Sequence, residues 1–267
     1  MITVRNPHSV LLALKLRTEA VKSLFLPESG LSPAWEEVKK EAERRGVAIG
    51  GAKPSTLPIP RARVQDFNPR NRGRGKSHPP KPEPIRLEGG RTGAAEAQIE
   101  EKPMLSVEEL FENATTRAEG KGIWLALDSL QDPQNVGAIF RSAAFFGVQG
   151  ILLTEERSSP LTSVVYDISC GGVEAVPHAG VINLQRAFEK AKEAGLWILG
   201  TSEHAETNLS SVKPDRPWLV VVGNEEKGLR KLTLERCDQV CKVQPRGEVG
   251  SLNVSVATAV LLHSLIG

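Results

Sequence analysis

The sequence predicts an α/β fold in which a parallel sheet is covered by helices, preceded by a small N-terminal α/β domain. Over residues 104–267, short apolar runs typical of buried strands alternate with segments of helical apolar spacing. This alternation favours a parallel sheet covered on both faces. The chain has 267 residues, of which 40% are hydrophobic and 25% charged, so it can bury one large core or two modest ones.

A basic, proline-rich stretch separates the two globular parts. Between Arg61 and Arg91 nine basic residues stand against three acidic ones, in a chain whose net charge is only +2. Such a segment cannot bury enough surface to offset the entropy lost on ordering it. We therefore expect an N-terminal domain over residues 1–50, a flexible basic linker over 51–103 and a larger domain over 104–267.

The N-terminal domain is predicted to alternate helices and strands. Apolar spacing indicates a helix over His8–Leu16, and the run VKSLFL indicates a strand over Val21–Leu26. A second helix is expected over Ser32–Arg45, because a serine, a proline and a glycine stand at its cap, its first turn and its end. A short strand is expected at Val47–Ile49.

The larger domain begins with a helix, because Ser106 and Glu109 form a capping box. Further along, we predict strands at Ile123–Leu127, Ile151–Leu153, Leu196–Gly200, Trp218–Val222 and Gln239–Val243. We predict helices at Val136–Phe146, Leu161–Cys170, Leu184–Ala194 and Val254–Ile266. The last helix is nearly all apolar, so it must be buried in the domain or against a partner chain.

Several functional classes are disfavoured. No apolar run approaches the length of a membrane span, and we expect no secretory signal, although the first residues share features with a transit peptide. The three cysteines, Cys170, Cys237 and Cys241, suit neither a disulfide framework nor a metal site. We expect reduced thiols in a cytoplasmic protein without a metal.

Nucleotide-binding and hydrolase patterns are incomplete. GRGKS at Gly73–Ser77 lacks the upstream glycine and the preceding strand of a P-loop. No G-x-G-x-x-G follows the first strand of the larger domain. The five histidines form no pair at metal-ligand spacing and no Ser-His-Asp arrangement, so we do not propose a hydrolase.

Three segments place polar residues directly after predicted strands, where open parallel sheets bind ligands. The first, LDSLQDPQNVGAIFRSAAFFG, has Asn135 at an expected helix N-cap and Arg141 six residues on. The second, VVVGNEEKGL, has Gly223 at a strand end, where a ligand can approach the backbone closely, and Glu225 beside it.

The third segment, VQPRGEVGSLNVSVATAVLLHSLIG, leads through Ser251 and Asn253 into the last helix, whose N-terminus suits an anion or a polar ligand. Each of the three segments also has a purely structural interpretation. Arg141 could be a solvated arginine on an amphipathic helix, and the second segment could be a tight turn with solvated acids. Ser251 and Asn253 could serve only as helix caps.

Taken together and in order, the three segments resemble the SpoU (TrmH-like) family of RNA ribose 2'-O-methyltransferases. DPQNVGAIFRSA resembles the first motif of that family, VVGNEEKGL the second and GEVGSLNVSVA the third. NPHSVLLALK and VKSLFL are similar to the small RNA-binding domain of its rRNA guanosine methyltransferases. The resemblance implies a C-terminal trefoil knot (the SPOUT fold), a homodimer and S-adenosyl-L-methionine as the methyl donor.

The resemblance also implies roles for individual residues. Catalytic positions carry over to Asn135, Arg141, Glu225, Ser251 and Asn253, and donor contacts carry over to Gly223, Val243 and Leu252. The chain departs from the family at Gln244-Pro245, because the family usually has proline directly after the position of Val243. This departure concerns the shape of the loop.

The chemistry requires a ribose 2'-hydroxyl in line with an activated methyl group. The protein must therefore orient this hydroxyl and remove its proton. The resemblance implies that Arg141 activates the hydroxyl. Because arginine normally stays protonated, positioning the adjacent phosphate and stabilising the developing alkoxide is an equally suitable role. Asn135 would orient Arg141 or the ribose. Glu225, Ser251 and Asn253 would hold the substrate and shape the donor pocket.

We therefore predict a cytoplasmic rRNA guanosine 2'-O-methyltransferase, with 23S rRNA as the expected substrate and no membrane partner. A tRNA 2'-O-methyltransferase is the nearest alternative, because the motifs specify the reaction and not the RNA. An RNA-binding protein with an inactive transferase fold is the alternative from another class. The intact Asn135, Arg141, Glu225 and Asn253 argue against it.

Overall fold

The computed structural model of the protein describes residues 1–51, 95–117, 119–224 and 226–266, and these residues form two β-sheets. The strands are β1 (Ile2–Val4), β2 (Val21–Leu26), β3 (Ile49–Gly51), β4 (Glu96–Ile99), β5 (Ile123–Leu127), β6 (Gly150–Thr154), β7 (His178–Val181), β8 (Trp197–Thr201), β9 (Thr207–Asn208), β10 (Trp218–Val222) and β11 (Gln239–Lys242). The α-helices are α1 (Pro7–Leu16), α2 (Pro33–Arg45), α3 (Val107–Phe111), α4 (Ala114–Arg117), α5 (Pro133–Phe146), α6 (Ser163–Ser169), α7 (Gly172–Ala175), α8 (Leu184–Glu193), α9 (Lys231–Leu234) and α10 (Val254–Ile266).

The smaller sheet has the strand order β1-β4-β2-β3 and forms the N-terminal domain with α1 and α2. β2 pairs in parallel with β3 and antiparallel with β4, which also pairs antiparallel with β1. The Asn6 side chain caps α1 by accepting hydrogen bonds from the backbone N–H groups of His8 and Ser9. Gly46 ends α2 in the left-handed region, at φ 71°. Both predicted helices are confirmed.

The sequence pattern does not predict β4. We expected a linker over 51–103, and its residues 52–94 lie outside the described part of the chain. At the ends of that range, however, Gly51 belongs to β3 and Glu96–Ile99 form a strand between β1 and β2. Ala97 and Ile99 are buried, in an apolar cluster that continues into the larger domain. The small domain therefore includes chain from both sides of the basic segment.

Seven parallel strands, in the order β7-β6-β5-β10-β8-β11-β9, form the sheet of the larger domain. The predicted α/β fold with a parallel sheet is thus confirmed. β5 and β10 lie side by side within this sheet, and every residue of both strands is buried. Successive side chains of β5 point to opposite faces of the sheet. Leu125 therefore belongs to one apolar cluster and Trp124 to the other.

Helices cover both faces of this sheet. On one face α5 packs against α6, α7 and α10, with Phe140 and Leu262 in the apolar cluster beneath them. On the other face α3 and α8 bury Phe111 and Phe188. Within the described ranges, no helix is long and apolar enough to cross a membrane.

Backbone and side-chain hydrogen bonds fasten the small domain to α6. The backbone N–H groups of Arg5 and Asn6 donate to Asp167 Oδ1 at 2.7 and 2.9 Å. The Ser9 hydroxyl donates to the carbonyl oxygen of Tyr166 at 2.6 Å, and Ser9 is buried. These contacts place the first turn of α1 directly on the larger domain.

A buried ion pair fastens the small domain to α7. Arg17 donates through Nε and Nη2 to the two carboxylate oxygens of Glu174, each at 2.8 Å, and the Glu174 side chain is only 1% exposed. Nearby, Lys102 Nζ donates to the carbonyl oxygens of Val173, Glu174 and Val176 at 3.2, 2.8 and 3.0 Å. Burial lowers the pKa of Lys102 to about 8.

We predict that the Arg17→Met variant loses about 3 kcal/mol of unfolding free energy, because it leaves the buried Glu174 carboxylate without its guanidinium partner. Adding Glu174→Leu should recover most of that loss, since it removes the unpaired charge. Urea unfolding of the single and double variants measures both effects. A single variant as stable as the parent would show that the pair contributes nothing to domain docking.

Candidate functional site

The three polar segments meet at one edge of the large sheet. β5 and β10 are parallel neighbours, with Leu127 opposite Val222, so the loops that follow them begin side by side. The backbone N–H of Asp128 continues the pairing by donating to the carbonyl oxygen of Val222 at 2.9 Å. β11 ends at the same edge, two strands beyond β10, and its following loop leads into α10.

A hydrogen bond joins the first and third segments. Asn253 Nδ2 donates to Asn135 Oδ1 at 2.9 Å, and Asn135 is 7% exposed. The other end of the Asn253 amide caps α10, because its Oδ1 accepts from the Ser255 backbone N–H at 2.9 Å and from the Ser255 hydroxyl at 2.6 Å. Two of the predicted catalytic residues therefore lie in contact.

The prediction that Asn135 is the N-cap of its helix is wrong. α5 begins two residues earlier, at Pro133, and Asp132 is the cap because its side chain accepts from the Gln134 backbone N–H at 2.8 Å. Proline fits the first turn without losing a hydrogen bond. Asn135 is consequently free of the capping role and lies in the first turn, where it reaches Asn253.

A cavity of about 510 Å³ lies between these loops. Its lining includes Asp128, Ser129 and Asn135 from the chain after β5, Asn224 and Arg230 from the chain after β10, and Asn253 before α10. Predicted site residues from the first and third segments therefore share one cavity. Glu225, predicted from the second segment, lies outside the described residues, between the lining residues Asn224 and Glu226.

The loop after β10 folds back on itself. Asn224 Oδ1 accepts from the backbone N–H groups of Glu226 and Lys227 at 3.1 and 3.2 Å, and Asn224 pairs with Gly228. A Cβ added at Gly223 would overlap the backbone of Gly228. The structure thus gives Gly223 a packing reason to be glycine.

The same loop is joined to the first segment. Asn224 Nδ2 donates to the carbonyl oxygen of Ser129 at 3.0 Å, and the Ser129 backbone N–H donates to Thr154 Oγ1 at 2.9 Å. Ser129 lies in the left-handed region at φ 63°, a conformation that L residues seldom adopt. The two hydrogen bonds hold this residue at the cavity wall.

A buried carboxylate lies beneath the cavity, and the sequence analysis did not identify it. Asp128 is 1% exposed and accepts from Arg230 Nη2 at 2.8 Å, from Arg230 Nε at 3.3 Å and from Thr233 Oγ1 at 3.0 Å. It also accepts from the Ser129 hydroxyl at 3.0 Å. The available signal was an acidic residue directly after the buried strand IWLAL, because such a position requires a partner.

The remaining predicted catalytic residues lie outside the cavity lining. Arg141 is exposed on α5, six residues or about 9 Å along the helix from Asn135. It makes no hydrogen bond or ion pair within the described part of the chain. Ser251 is exposed in the loop before α10.

The three predicted donor residues are also not in the cavity lining. Gly223 follows β10, Val243 follows β11 and packs against the core, and Leu252 is 50% exposed. Because β8 lies between β10 and β11, the loop after β8, residues 202–206, lies between these positions. The sequence analysis did not single out this loop, although the polar run SEHAE directly follows an apolar strand.

In the described residues, no group of acidic, histidine and cysteine side chains suits a metal ion.

Comparison with known proteins gives consistent matches. The SpoU rRNA Methylase family model matches residues 122–263. The 23S rRNA (guanosine-2'-O-)-methyltransferase RlmB of Pseudomonas aeruginosa is 40% identical over 159 residues, which are 60% of this chain and 64% of that protein. The enzyme of the same name from Bordetella pertussis is 29% identical over 259 residues, 97% of this chain and 94% of that protein. The match therefore spans less than two thirds of the Pseudomonas protein.

Solved structures resemble the whole chain. The SpoU methyltransferase AviRb from Streptomyces viridochromogenes, in complex with the cofactor AdoMet, superposes with a TM-score of 0.72 at 18% identity, covering 99% of this chain and 88% of AviRb. The AdoMet-bound rRNA methyltransferase from Sinorhizobium meliloti gives a TM-score of 0.69 at 18% identity, covering 99% of this chain and 86% of that protein. At these identities the likeness establishes the fold.

We predict that Gly223→Ala lowers the unfolding free energy by roughly 1–3 kcal/mol, because the added methyl group would force the loop after β10 to shift. Gly250→Ala is the matched control, since a Cβ there meets open space. Chemical denaturation of both variants gives the comparison. Equal stability of the two would show that the loop does not need glycine at position 223.

Proposed function

This chain belongs to the SpoU rRNA methylase family, and we propose that it transfers a methyl group from S-adenosyl-L-methionine to a ribose 2'-hydroxyl of rRNA, with a guanosine of 23S rRNA as the target. The observation that carries this proposal is the Asn253–Asn135 hydrogen bond, which unites two motifs of the family at one cavity. The names of the bacterial relatives favour 23S rRNA over tRNA. The proposed place of action is the cytoplasm.

The donor would lie against the loops after β10, β8 and β11. Leu252 is apolar and half exposed there, Val243 is partly buried, and Gly223 has no side chain. Apolar surface beside loop backbone groups fits an adenosyl moiety, because the flat adenine ring packs on apolar side chains while its ring nitrogens and amino group pair with backbone groups. When bound, the donor supplies a methyl group already activated by its sulfonium centre. Gly223, Val243 and Leu252 are therefore the proposed donor contacts.

The RNA would enter the cavity from the side lined by Asn135 and Asn253. The hydrogen bond that Asn253 donates to Asn135 fixes both amides, so they can position a ribose without first reorganising. Arg141 is the proposed group that holds the neighbouring phosphate and stabilises the alkoxide as the hydroxyl proton leaves. Glu225 and Ser251 are proposed to hold the substrate.

We also propose that residues of the C-terminal segment are threaded into a trefoil knot. The sheet order supports this arrangement, because β10 lies between β5 and β8, and β11 lies beyond β8. β10 is thus inserted into the sheet between two strands, β5 and β8, that come earlier in the chain. This order is compatible with a threaded C-terminal segment, which the resemblance to the family implies, and true knots are rare among protein folds.

A homodimer is the proposed assembly. Apolar side chains are exposed on the packed helices α5 and α10 and on the loop before α10: Phe145 is 83% exposed, Val249 78%, Leu252 50% and Val256 49%. Large exposed apolar side chains on neighbouring elements indicate a protein interface. Arg141 precedes Phe145 by one helical turn and shares its side of α5, so a partner chain on this surface would enclose Arg141.

The reaction is tested by incubating the protein with labelled S-adenosylmethionine and separate pools of 23S rRNA and tRNA, followed by mapping of the methylated nucleotide. We predict that Arg141→Ala reduces single-turnover transfer by about 10²-fold or more while donor affinity is unchanged. Arg186→Ala, an exposed arginine on the opposite face of the sheet, serves as the control. Transfer only into tRNA, or normal transfer by Arg141→Ala, would contradict the corresponding part of the proposal.

The dimer predicts a mass of about twice 28.9 kDa by light scattering at micromolar concentration. Phe145→Asp should give a monomer, because a carboxylate would be buried in the interface. Ile182→Asp, at an apolar residue beyond β7 that is 73% exposed, should leave the mass unchanged. If Phe145→Asp remains dimeric, the interface lies elsewhere.

A further inference from the structure

Arg230 extends from the buried base of the cavity to its surface. Its Nε and Nη2 atoms donate to the two carboxylate oxygens of Asp128, so the guanidinium is fixed in a bidentate pair. The Asp128 side chain is 1% exposed, whereas that of Arg230 is 54% exposed and lines the cavity. The anion of the pair is therefore almost fully covered, and the cation is the accessible partner.

The guanidinium retains free donors. Nη1 donates to no acceptor in the described ranges, so its N–H groups are available. Asp128 is saturated, because it also accepts from the hydroxyls of Thr233 and Ser129. A guanidinium held from behind by a buried carboxylate keeps its orientation when a ligand binds.

The surroundings favour an oxyanion as the ligand. The nearby amides of Asn135 and Asn253 are uncharged. Of the acids in the lining, Asp128 is paired with Arg230, and Asp132 caps α5. Glu226 is accompanied by the two further cations Lys227 and Arg157. A ribose placed at the amides brings a phosphodiester on each side of it.

We infer that Arg230 binds a phosphodiester of the RNA backbone next to the target ribose, with Asp128 as the residue that positions it. The inference rests on the proposed function, since it takes RNA as the substrate. The carboxylate of the methyl donor offers the same oxyanion chemistry. The proposed donor residues lie outside the cavity lining, which favours the phosphodiester.

Three variants separate this role from a structural clamp. Arg230→Met removes the cation. Arg230→Lys keeps a charge beside Asp128 but loses the planar fork. Arg236→Met removes an exposed arginine from the same segment, outside the cavity lining, and serves as the matched control. Thermal unfolding shows whether each variant is folded, and calorimetric titration with S-adenosylhomocysteine measures its affinity at the donor site.

The measurement is the affinity for deproteinised 23S rRNA from low to moderate salt, together with single-turnover methyl transfer. Arg230→Met should weaken RNA binding about tenfold at low salt and flatten the salt slope by roughly 0.7 to 0.9, the value of one phosphate contact. Arg230→Lys should keep the slope but slow transfer about tenfold at saturating RNA, because an ammonium group on a flexible stem does not fix the phosphate. Arg236→Met should match the parent protein in both measurements.

Two results would overturn the inference. One is an unchanged slope for a folded Arg230→Met protein, which would leave Arg230 as a structural clamp. The other is weaker S-adenosylhomocysteine binding with an unchanged RNA slope, which would identify the oxyanion as the donor carboxylate. Failure of the proposed function is distinguishable, because the parent protein would then methylate no RNA whatever the behaviour of the variants.

Discussion

The parallel pairing of β5 with β10 is the constraint on which the site depends. These strands are separated by about ninety residues of sequence, yet Leu127 lies opposite Val222. The last residues of the two strands are therefore neighbours, and the loops that follow leave the sheet side by side. Because every residue of both strands is buried, a shift of register would expose an apolar row or bury a polar one. The apolar core therefore fixes the relative position of the two loops before any polar contact forms.

The polar residues of the site are then arranged by the cost of burial. Asp128 and Asn135 are 1% and 7% exposed, at positions where an unpaired polar group would be costly. Each is satisfied by a residue from a distant segment, Asp128 by Arg230 and Asn135 by Asn253. The hydrogen bonds that satisfy these groups are the same ones that assemble the cavity. Stability and site geometry consequently depend on the same contacts. A substitution that removes one of these hydrogen bonds should change both the unfolding free energy and the shape of the cavity.

Local patterns predicted much of this molecule, and the failures have a physical cause. The bounds of β5, β10 and α10 follow from continuous apolar runs, and they match the structure at both ends. β4 and β9 are short strands that form by pairing with strands remote in sequence, as Ile2 pairs with Ile99. The local spacing of apolar residues therefore does not predict them. The same applies within the site. Asn135 and Asn253 stand in segments that follow predicted strands and resemble motifs of the family, but the Asp128–Arg230 pair spans 102 residues and is visible only in three dimensions.

The docking of the small domain has a consequence for the site, because it acts on the helix that carries Asn135 and Arg141. The small domain contacts α6 and α7 through Ser9 and Arg17, and both helices pack against α5. A Cβ at Gly137 would overlap Ile168 of α6, and one at Gly172 of α7 would overlap the backbone of Phe140. Because this packing is close, a displacement of α6 or α7 would be transmitted to α5. With the small domain as an RNA-binding unit, as the resemblance of its sequence implies, RNA would meet the cavity at a distance and orientation set by this packing. That fixed geometry would select among RNAs by shape, in addition to any recognition of the target nucleotide.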